Sequence, residues 1–372
     1  MESSLEFIRN MSKYFSNYDK NFVDGFIKII QKFYEYLVKE QIINSPSDID
    51  NYIDKFYNKM INDTGISPNE SIRKALAFFY SLGSKYEEMS VNLLNETKIT
   101  KGENTDSHAY NIKLSGNEYD DSVIVHEITH SIVMSEEQIN RPIYIAVPKE
   151  EYSPIFHFIS EINSYIFQFL YYDFCEAKSD VKRDRLDMMM HMMVISSLKS
   201  NFEVLEKDKT IFETLSCGKA QEHISEVIKH FGFDPSTNQY NSQYAFSEKM
   251  ILSYSHPFGM MVACYIYQEI LKNPNNIKMC LGLEKAQGMV GEEETTLRIL
   301  ESLGIPCFKN GKISLDDECV NKLSNALIET FDMCKNKEKK SDNSFLNKYP
   351  IVDDVYMEQV NGLFDKTIQK LR

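Results

Sequence analysis

The 372-residue chain lacks a surplus of basic residues, a long apolar run and any closely spaced pair of cysteines. Its 41 lysines and arginines are outnumbered by 55 aspartates and glutamates, which gives a formal net charge of -14. A chain this acidic is poorly suited to bind nucleic acid or an anionic membrane surface, so we expect neither as a partner. No window approaches the roughly 18 consecutive apolar residues that a membrane-spanning helix needs.

The seven cysteines are dispersed, odd in number and free of C-x-x-C spacing. This pattern indicates reduced, mostly buried thiols rather than disulfides or a cysteine-based zinc site. The first residues carry scattered charges and no apolar signal core. We therefore expect a cytoplasmic protein, or one that is exported without a cleavable signal peptide.

Helical periodicity dominates the chain, so we predict a mostly α fold. Residues 1–96 are predicted to form an N-terminal helical segment, 97–335 a longer central region, and 336–372 a charged linker with a C-terminal helix near 352–370. In the first segment, Ser-Pro pairs predict helices near 47–61 and 69–82. In the central region we predict a strand over 108–114, a β-like run at 143–147, and helices near 154–170, 178–207, 211–231, 245–272, 276–286, 291–303 and 315–335.

The clearest indication of function is an H-E-x-x-H motif formed by His126, Glu127 and His130. In a helix, side chains four residues apart share one face, so the two imidazoles can bind one metal ion. Glu127 lies about 100° further round the helix, where it can hold a water bound to that metal. Asp120 and Asp121 suit the start of such a helix, and its many apolar residues predict burial. Buried histidines and a carboxylate need a partner, and one Zn²⁺ per chain would satisfy them.

A catalytic zinc ion needs a third protein ligand and an open position for water. The acidic candidates downstream of the motif are Glu150, Glu151 and Glu161. The first two lie in a charged segment that we expect to be an exposed loop. Glu161 lies inside an apolar helical stretch, where an unpaired carboxylate would be strongly unfavourable. We therefore predict Glu161 as the third metal ligand.

In this order, the segments resemble the thimet oligopeptidase/oligoendopeptidase F family of zinc peptidases, which is of the gluzincin type. In that family, H-E-x-x-H is followed by a glutamate that opens a segment similar to SEINS at 160–164. A later histidine and a tyrosine-rich helix are similar to SYSHPF at 253–258 and CYIY at 264–267, and the family's terminal segment is similar to 291–331. The resemblance spans 98–335 and implies that the central region, 97–335, is the catalytic region of a zinc peptidase. It implies a zincin-like catalytic helical domain with a small β-sheet beside the H-E-x-x-H helix.

The resemblance also implies a zinc-dependent endopeptidase whose partners are peptide or protein substrates. Glu127 would activate the water bound to zinc. His256 and a tyrosine would hydrogen-bond the substrate carbonyl and the oxyanion that develops from it. Tyr265 is the first candidate for that tyrosine, because it matches one of the family's positions. Tyr267 and Tyr254 are the substitutes to consider.

The chain departs from the family pattern at several places. Thr129 stands where glycine is usual, and Met261 and Gln268 stand where the thimet-like branch has tyrosines. The part of the chain before the motif is also much shorter than in typical members. Thr129 and the missing tyrosines leave open a catalytically impaired pseudo-peptidase that binds a protein partner through the same cleft. A zinc carboxypeptidase that trims C-termini is a further alternative, and it would need a cationic group to bind the terminal carboxylate.

Overall fold

The computed structural model describes residues 19, 21–140, 154–178, 256–287 and 293–335, and the labels used below number its elements in chain order. These ranges are mostly helical with a small amount of sheet, which confirms the predicted mostly α fold. The strands are β1 (Lys98–Lys101), β2 (Asn111–Leu114), β3 (Phe308–Lys309) and β4 (Lys312–Ile313). The helices are α1 (Phe22–Lys39), α2 (Pro46–Ile61), α3 (Pro68–Ser81), α4 (Ser84–Glu96), α5 (Asp120–Asn140), α6 (Pro154–Lys178), α7 (His256–Lys272), α8 (Lys278–Gln287), α9 (Glu293–Ser302) and α10 (Asp317–Lys335).

The Ser-Pro pairs begin α2 and α3 as predicted. The Asp48 carboxylate accepts a hydrogen bond from the Ser45 N–H at 2.9 Å, and the Glu70 N–H donates to Ser67 Oγ at 3.3 Å. These bonds satisfy amide groups that have no partner within the helix itself. After α3, Gly83 adopts a φ of 116°, a conformation that L side chains rarely adopt. A glycine at this position therefore allows the chain to turn directly into α4.

The helix α6 lies at the centre of the described structure. It packs against α5 on one side and α7 on another, and α7 also packs against α10, which covers α1. Its middle part is almost entirely buried, since its sequence is apolar nearly all round. Two elements that carry predicted site residues, α5 and α7, are thus held against one common helix.

Two buried hydrogen bonds join further helices to this core. The Tyr267 hydroxyl on α7 donates to Asp173 on α6 at 2.7 Å, and the Tyr86 hydroxyl on α4 donates to Glu284 on α8 at 3.0 Å. A buried carboxylate would be costly without such donors. These pairs fix the relative positions of helices that are far apart in the sequence.

The strands β1 and β2 pair in parallel, with Ile99 opposite Ile112. The predicted strand over 108–114 is shorter than expected, because it begins only at Asn111. Tyr110 has a φ of 62°, a left-handed conformation that cannot continue a strand. His108 contributes only an isolated bridge to Asn111.

The loop after β2 is fastened to the start of α5 by a single carboxylate. Asp120 accepts hydrogen bonds from the N–H groups of Ser115 at 2.9 Å, Gly116 at 2.7 Å and Asn117 at 3.2 Å. The side chain of Asp120 therefore binds the preceding loop and fixes where α5 begins. This arrangement sets the direction in which the H-E-x-x-H helix leaves the small sheet.

A hairpin that helical periodicity does not predict lies between α9 and α10. Phe308 pairs with Ile313, and the turn between β3 and β4 is formed by Asn310 and Gly311. Both turn residues have positive φ, 54° and 66°, as a type I′ turn requires. The hairpin thus lies in the connection between the helices predicted at 291–303 and 315–335, where we predicted no strand.

The other predicted elements divide into those that are described and those that are not. The helices predicted at 276–286, 291–303 and 315–335 correspond to α8, α9 and α10 within two residues. The helix that carries the motif extends to Asn140. Within the described ranges, no helix is both long and apolar enough to cross a bilayer. The predicted elements at 143–147, 211–231 and 352–370 lie outside the described residues, as do residues 245–255 and all of the predicted helix at 178–207 except Lys178, which ends α6.

Candidate metal centre

Three side chains from two helices meet where α5 crosses α6, and we call His126, His130 and Glu161 the metal cluster. Nε2 of His126 lies 3.0 Å from Nε2 of His130. The Glu161 carboxylate faces both rings, with Oε2 3.5 Å from Nε2 of His126 and Oε1 3.5 Å from Nε2 of His130. The structure therefore brings together the three residues that the sequence predicts as metal ligands.

The spacing of the metal cluster fits a tetrahedral zinc ion. Zinc bonds of about 2.0 to 2.1 Å place neighbouring ligand atoms roughly 3.3 Å apart at tetrahedral angles. The three separations in the cluster, 3.0, 3.5 and 3.5 Å, bracket that value. Two imidazoles and one carboxylate also form a donor set typical of catalytic zinc, which keeps a fourth position for water. The chemistry and the geometry of the cluster both suit this ion.

Glu161 is the most constrained member of the metal cluster. It is buried, and among the described residues its Oε2 makes no hydrogen bond of acceptable geometry. Burial alone would raise the pKa of Glu161, but the charges of His256 and His130 outweigh it and hold that pKa well below its usual range. The buried carboxylate is thus kept in its ionised form, which is the form that binds a cation.

Glu127 follows His126 on α5 and is buried beside the metal cluster. Burial raises the pKa of Glu127 to about 7, and the negative charge of Glu161 adds to this rise while His126 and His256 oppose it. A carboxyl with a pKa near neutrality can both take up and release a proton at working pH. The Glu127 carboxyl can therefore exchange a proton near neutral pH.

His256 is the first residue of α7 and contacts Glu161 of the metal cluster. Its Nδ1 lies 3.0 Å from Oε2 of Glu161 and 3.0 Å from the hydroxyl oxygen of Tyr165. The His256 side chain keeps 30% of its surface exposed, compared with 11 to 13% for the three members of the cluster. It is therefore the histidine of the site that solvent or a ligand can reach most easily.

Tyr165 is a site residue that the sequence reasoning missed. It lies one turn after Glu161 on the same face of α6, and its ring centroid is 5.1 Å from that of His126. Burial raises the pKa of the Tyr165 hydroxyl well above its usual range, and the charges of Glu161 and Glu127 add to this effect. The hydroxyl therefore stays protonated and can donate a hydrogen bond. The spacing Glu-x-x-x-Tyr was the available signal.

The structure does not bring Tyr265 to the metal cluster. Nine residues separate it from His256 on α7, so the two side chains point about 180° apart. Tyr265 is partly exposed, and burial raises the pKa of its hydroxyl, with the charge of Glu269 adding to the rise and those of Lys322 and Lys272 opposing it. The hydroxyl of Tyr267, the first substitute, donates a hydrogen bond to Asp173 instead. Tyr254, the second substitute, lies outside the described residues, as do Glu150 and Glu151.

A glycine allows α7 to approach Glu161 closely. A Cβ atom built on Gly259 would lie only 2.6 Å from Cβ of Glu161 and 3.3 Å from the backbone nitrogen of Ile162. Real Cβ atoms do not approach other atoms this closely, so any side chain at this position would force the two helices apart. Because Gly259 lies one turn after His256, it also sets the distance between His256 and Glu161.

Thr129, the departure within the motif, fits its position without strain. It is completely buried, and its hydroxyl donates to the carbonyl oxygen of Val125 one turn earlier at 2.7 Å. A buried hydroxyl with such a partner is satisfied. The threonine therefore does not disturb the helix that carries His126 and His130.

In comparisons with known proteins, no family model, curated sequence or solved structure matches this chain.

Proposed function

We propose that the chain is a zinc-dependent metalloendopeptidase with a zincin-like catalytic region, which hydrolyses internal bonds of peptides or proteins. The observation that carries the proposal is the metal cluster: His126, His130 and Glu161 at tetrahedral spacing, with the carboxyl of Glu127 buried beside them. A site used only for binding would have no need of a buried carboxyl with a pKa near neutrality.

The metal cluster would hold one Zn²⁺, which when bound polarises a carbonyl and lowers the pKa of water. Glu127 is the group that moves the proton. It takes a proton from the attacking water and passes it to the amine that leaves when the peptide bond breaks. Its burial supports this role, because a carboxyl in a dry site holds and releases a proton near pH 7.

His256 and Tyr165 are the groups that we assign to the substrate carbonyl. Both lie beside the metal cluster, and the exposed edge of His256 is open to a ligand. Hydrogen-bond donors placed where negative charge develops lower an acyl-transfer barrier by about 3 kcal/mol each. We assign to Tyr165 the role that the family pattern suggests for Tyr265, because the hydroxyl of Tyr165 contacts His256.

The test is the metal content of the purified chain together with its cleavage of a mixed peptide library, for the wild type and for Glu127→Gln. We expect one zinc per chain in both proteins, and cleavage of internal bonds by the wild type only. The glutamine side chain cannot accept the proton from water. A variant that keeps its zinc but loses its activity would therefore separate the catalytic role of Glu127 from metal binding.

Three outcomes would contradict the proposal. A wild-type chain that binds zinc but cleaves no peptide would favour the pseudo-peptidase. Release of C-terminal residues alone would favour the carboxypeptidase. Cleavage by Glu127→Gln at the wild-type rate would remove Glu127 from the mechanism.

A further inference from the structure

Gln168 is buried, and its side chain contacts His126 at the ring nitrogen that does not face the metal cluster. It lies on α6 two turns after Glu161, so the two residues share one face of the helix. Its Oε1 is 2.9 Å from Nδ1 of His126, and its Nε2 donates to the backbone carbonyl oxygen of Ser122 at 3.1 Å. The amide therefore bridges α6 to two successive turns of α5.

The carbonyl oxygen of Ser122 decides which way the Gln168 amide points. A carbonyl can only accept a hydrogen bond, so the amide nitrogen must face Ser122 and the amide oxygen must face His126. The opposite orientation would put two oxygen atoms together at the Ser122 side. The orientation of this amide is thus fixed by the backbone of α5.

An amide oxygen beside Nδ1 in turn fixes the form of the His126 ring. Because that oxygen only accepts, Nδ1 must carry the hydrogen, and in the neutral imidazole Nε2 is left with its lone pair. Nε2 is the nitrogen that faces His130 at 3.0 Å and Glu161 at 3.5 Å. The ring is therefore held with its metal-binding atom directed into the metal cluster.

We propose that Gln168 is a positioning residue that orients His126 and fixes its tautomer for metal binding. This inference rests on the metal-binding part of the proposed function. Outer partners of this kind raise the metal affinity of a site, since they remove the freedom of the ligand ring before the ion arrives. Without the amide, the His126 ring can turn about its Cβ–Cγ bond and direct either nitrogen at the metal.

The carbonyl of Ser122 also explains why the partner is an amide and not a carboxylate. A glutamate at 168 could accept from Nδ1 of His126, but its second oxygen would face the Ser122 carbonyl oxygen. Two acceptors in a buried position repel each other and leave both unsatisfied. The neutral amide satisfies both neighbours and leaves Glu161 as the single charged ligand of the cluster.

The test compares Gln168→Met with Gln268→Met, by zinc affinity in chelator competition. Methionine keeps much of the shape of glutamine but replaces the amide oxygen with a thioether, which is only a weak acceptor for the Nδ1–H. Gln268 is the matched control, because it is also buried, on the neighbouring helix α7, and donates to Thr330 Oγ1 at 2.9 Å away from the metal cluster. We expect zinc binding to weaken by about 10- to 100-fold in Gln168→Met and by less than about threefold in Gln268→Met.

Two further measurements separate positioning from packing. In Gln168→Glu the acceptor for Nδ1 is kept, so zinc affinity is expected within about threefold of wild type although the variant unfolds more easily. In the metal-free wild type, at a pH where the His126 ring is neutral, nitrogen-15 NMR of the histidine side chains should show its hydrogen on Nδ1, and Gln168→Met should lose this preference. A substitution that only loosened the core would not move the proton between ring nitrogens.

The inference is overturned if Gln168→Met binds zinc as tightly as wild type, or if Gln268→Met loses as much affinity. It is also overturned if His126 carries its hydrogen on Nε2 in the wild type. A wild-type chain that binds no zinc removes the metal site and this inference with it. A chain that binds zinc, responds to Gln168→Met as expected and cleaves no peptide supports the role of Gln168 while it refutes the peptidase proposal.

Discussion

The hydroxyl of Tyr165 and Nδ1 of His256 lie 3.0 Å apart, although 91 residues separate them in the chain. This contact joins α6 to the first residue of α7, and both side chains adjoin Glu161 of the metal cluster. A hydroxyl that remains protonated and a half-buried imidazole are thus placed side by side. In the proposed function, both would donate hydrogen bonds to a substrate carbonyl.

The variant Tyr165→Phe removes one of these donors and leaves the ring in place. We expect kcat to fall by about 10²- to 10³-fold, because a lost donor to a developing oxyanion costs about 3 to 4 kcal/mol. Zinc content should not change. Tyr265→Phe is the matched control on the far face of α7, and it should keep kcat within about threefold. The reverse result, in which Tyr265→Phe is the damaging variant, would restore the role that the family pattern suggests.

The variant Gly259→Ala tests the close packing of α7 on Glu161. Its new Cβ would lie 2.6 Å from Cβ of Glu161, so the helices must separate. We expect a loss of about 1 to 3 kcal/mol in the free energy of unfolding, measured by denaturant titration, together with weaker zinc binding. Gly102→Ala is the control, since its Cβ would meet mainly the flexible Lys113 side chain, at 3.2 Å. Equal stability of the two variants would contradict the close approach of α7.

The raised pKa of Glu127 predicts how the stability of the metal-free protein changes with pH. The carboxyl ionises near 4.5 in the unfolded chain and at about 7 in the fold. Between these values the folded state keeps a proton that the unfolded state has lost, so stability falls as pH rises. The contribution of Glu127 is complete below about pH 4.5 and is lost as pH rises through 7.

This pH dependence can be measured as a difference between two proteins. Unfolding by denaturant in the presence of a chelator would be followed for wild type and Glu127→Gln between pH 4.5 and 7.5. The wild type should lose about 3 kcal/mol more than the variant, since glutamine does not ionise. Parallel curves for the two proteins would show that Glu127 ionises in the fold as it does in the unfolded chain.

Thr129 stands where the family usually has glycine, and its contacts predict that it is harmless to the site. In Thr129→Gly, the bond to the Val125 carbonyl and a buried methyl group are lost, and glycine is unfavourable inside a helix. We expect the free energy of unfolding to fall by about 2 kcal/mol, with zinc affinity and peptide cleavage within about threefold of wild type. A gain in activity of tenfold or more would instead show that the threonine impairs the site.

The metal cluster could be predicted from the sequence because its geometry is local to two helices. His126 and His130 share a face by helical spacing, and Glu161 was identifiable as a carboxylate inside an apolar run. In both cases, the period of a single helix determines which way the side chain points. The Ser-Pro helix starts were predictable for the same reason, since a cap acts within one turn.

The partners of the cluster could not be predicted, because they depend on how helices pack. Tyr165 and Gln168 follow Glu161 at four and seven residues, so their shared face was visible in the sequence. What they contact, His256 and His126, is decided by the crossing of α6 with α7 and α5. Tyr265 was chosen by its position in a family pattern, and helical spacing places it on the face opposite His256.

The hairpin between α9 and α10 was a missed local signal rather than a packing effect. Asn310-Gly311 is the dipeptide most typical of a two-residue hairpin turn, and both residues adopt positive φ. The two strands beside this turn have only two residues each, at 308–309 and 312–313. They are therefore difficult to recognise between two strongly helical segments. The late start of β2 has a different cause, since nothing in the sequence marked Tyr110 for a left-handed conformation.

We propose above all that His126, His130 and Glu161 bind one zinc ion. The most direct measurement is a crystal structure of the zinc-loaded chain with an anomalous difference map recorded at the zinc absorption edge. We expect a single strong peak about 2.0 to 2.2 Å from Nε2 of His126, Nε2 of His130 and a carboxylate oxygen of Glu161. A map with no peak at these three residues, or with zinc bound only elsewhere, would contradict it.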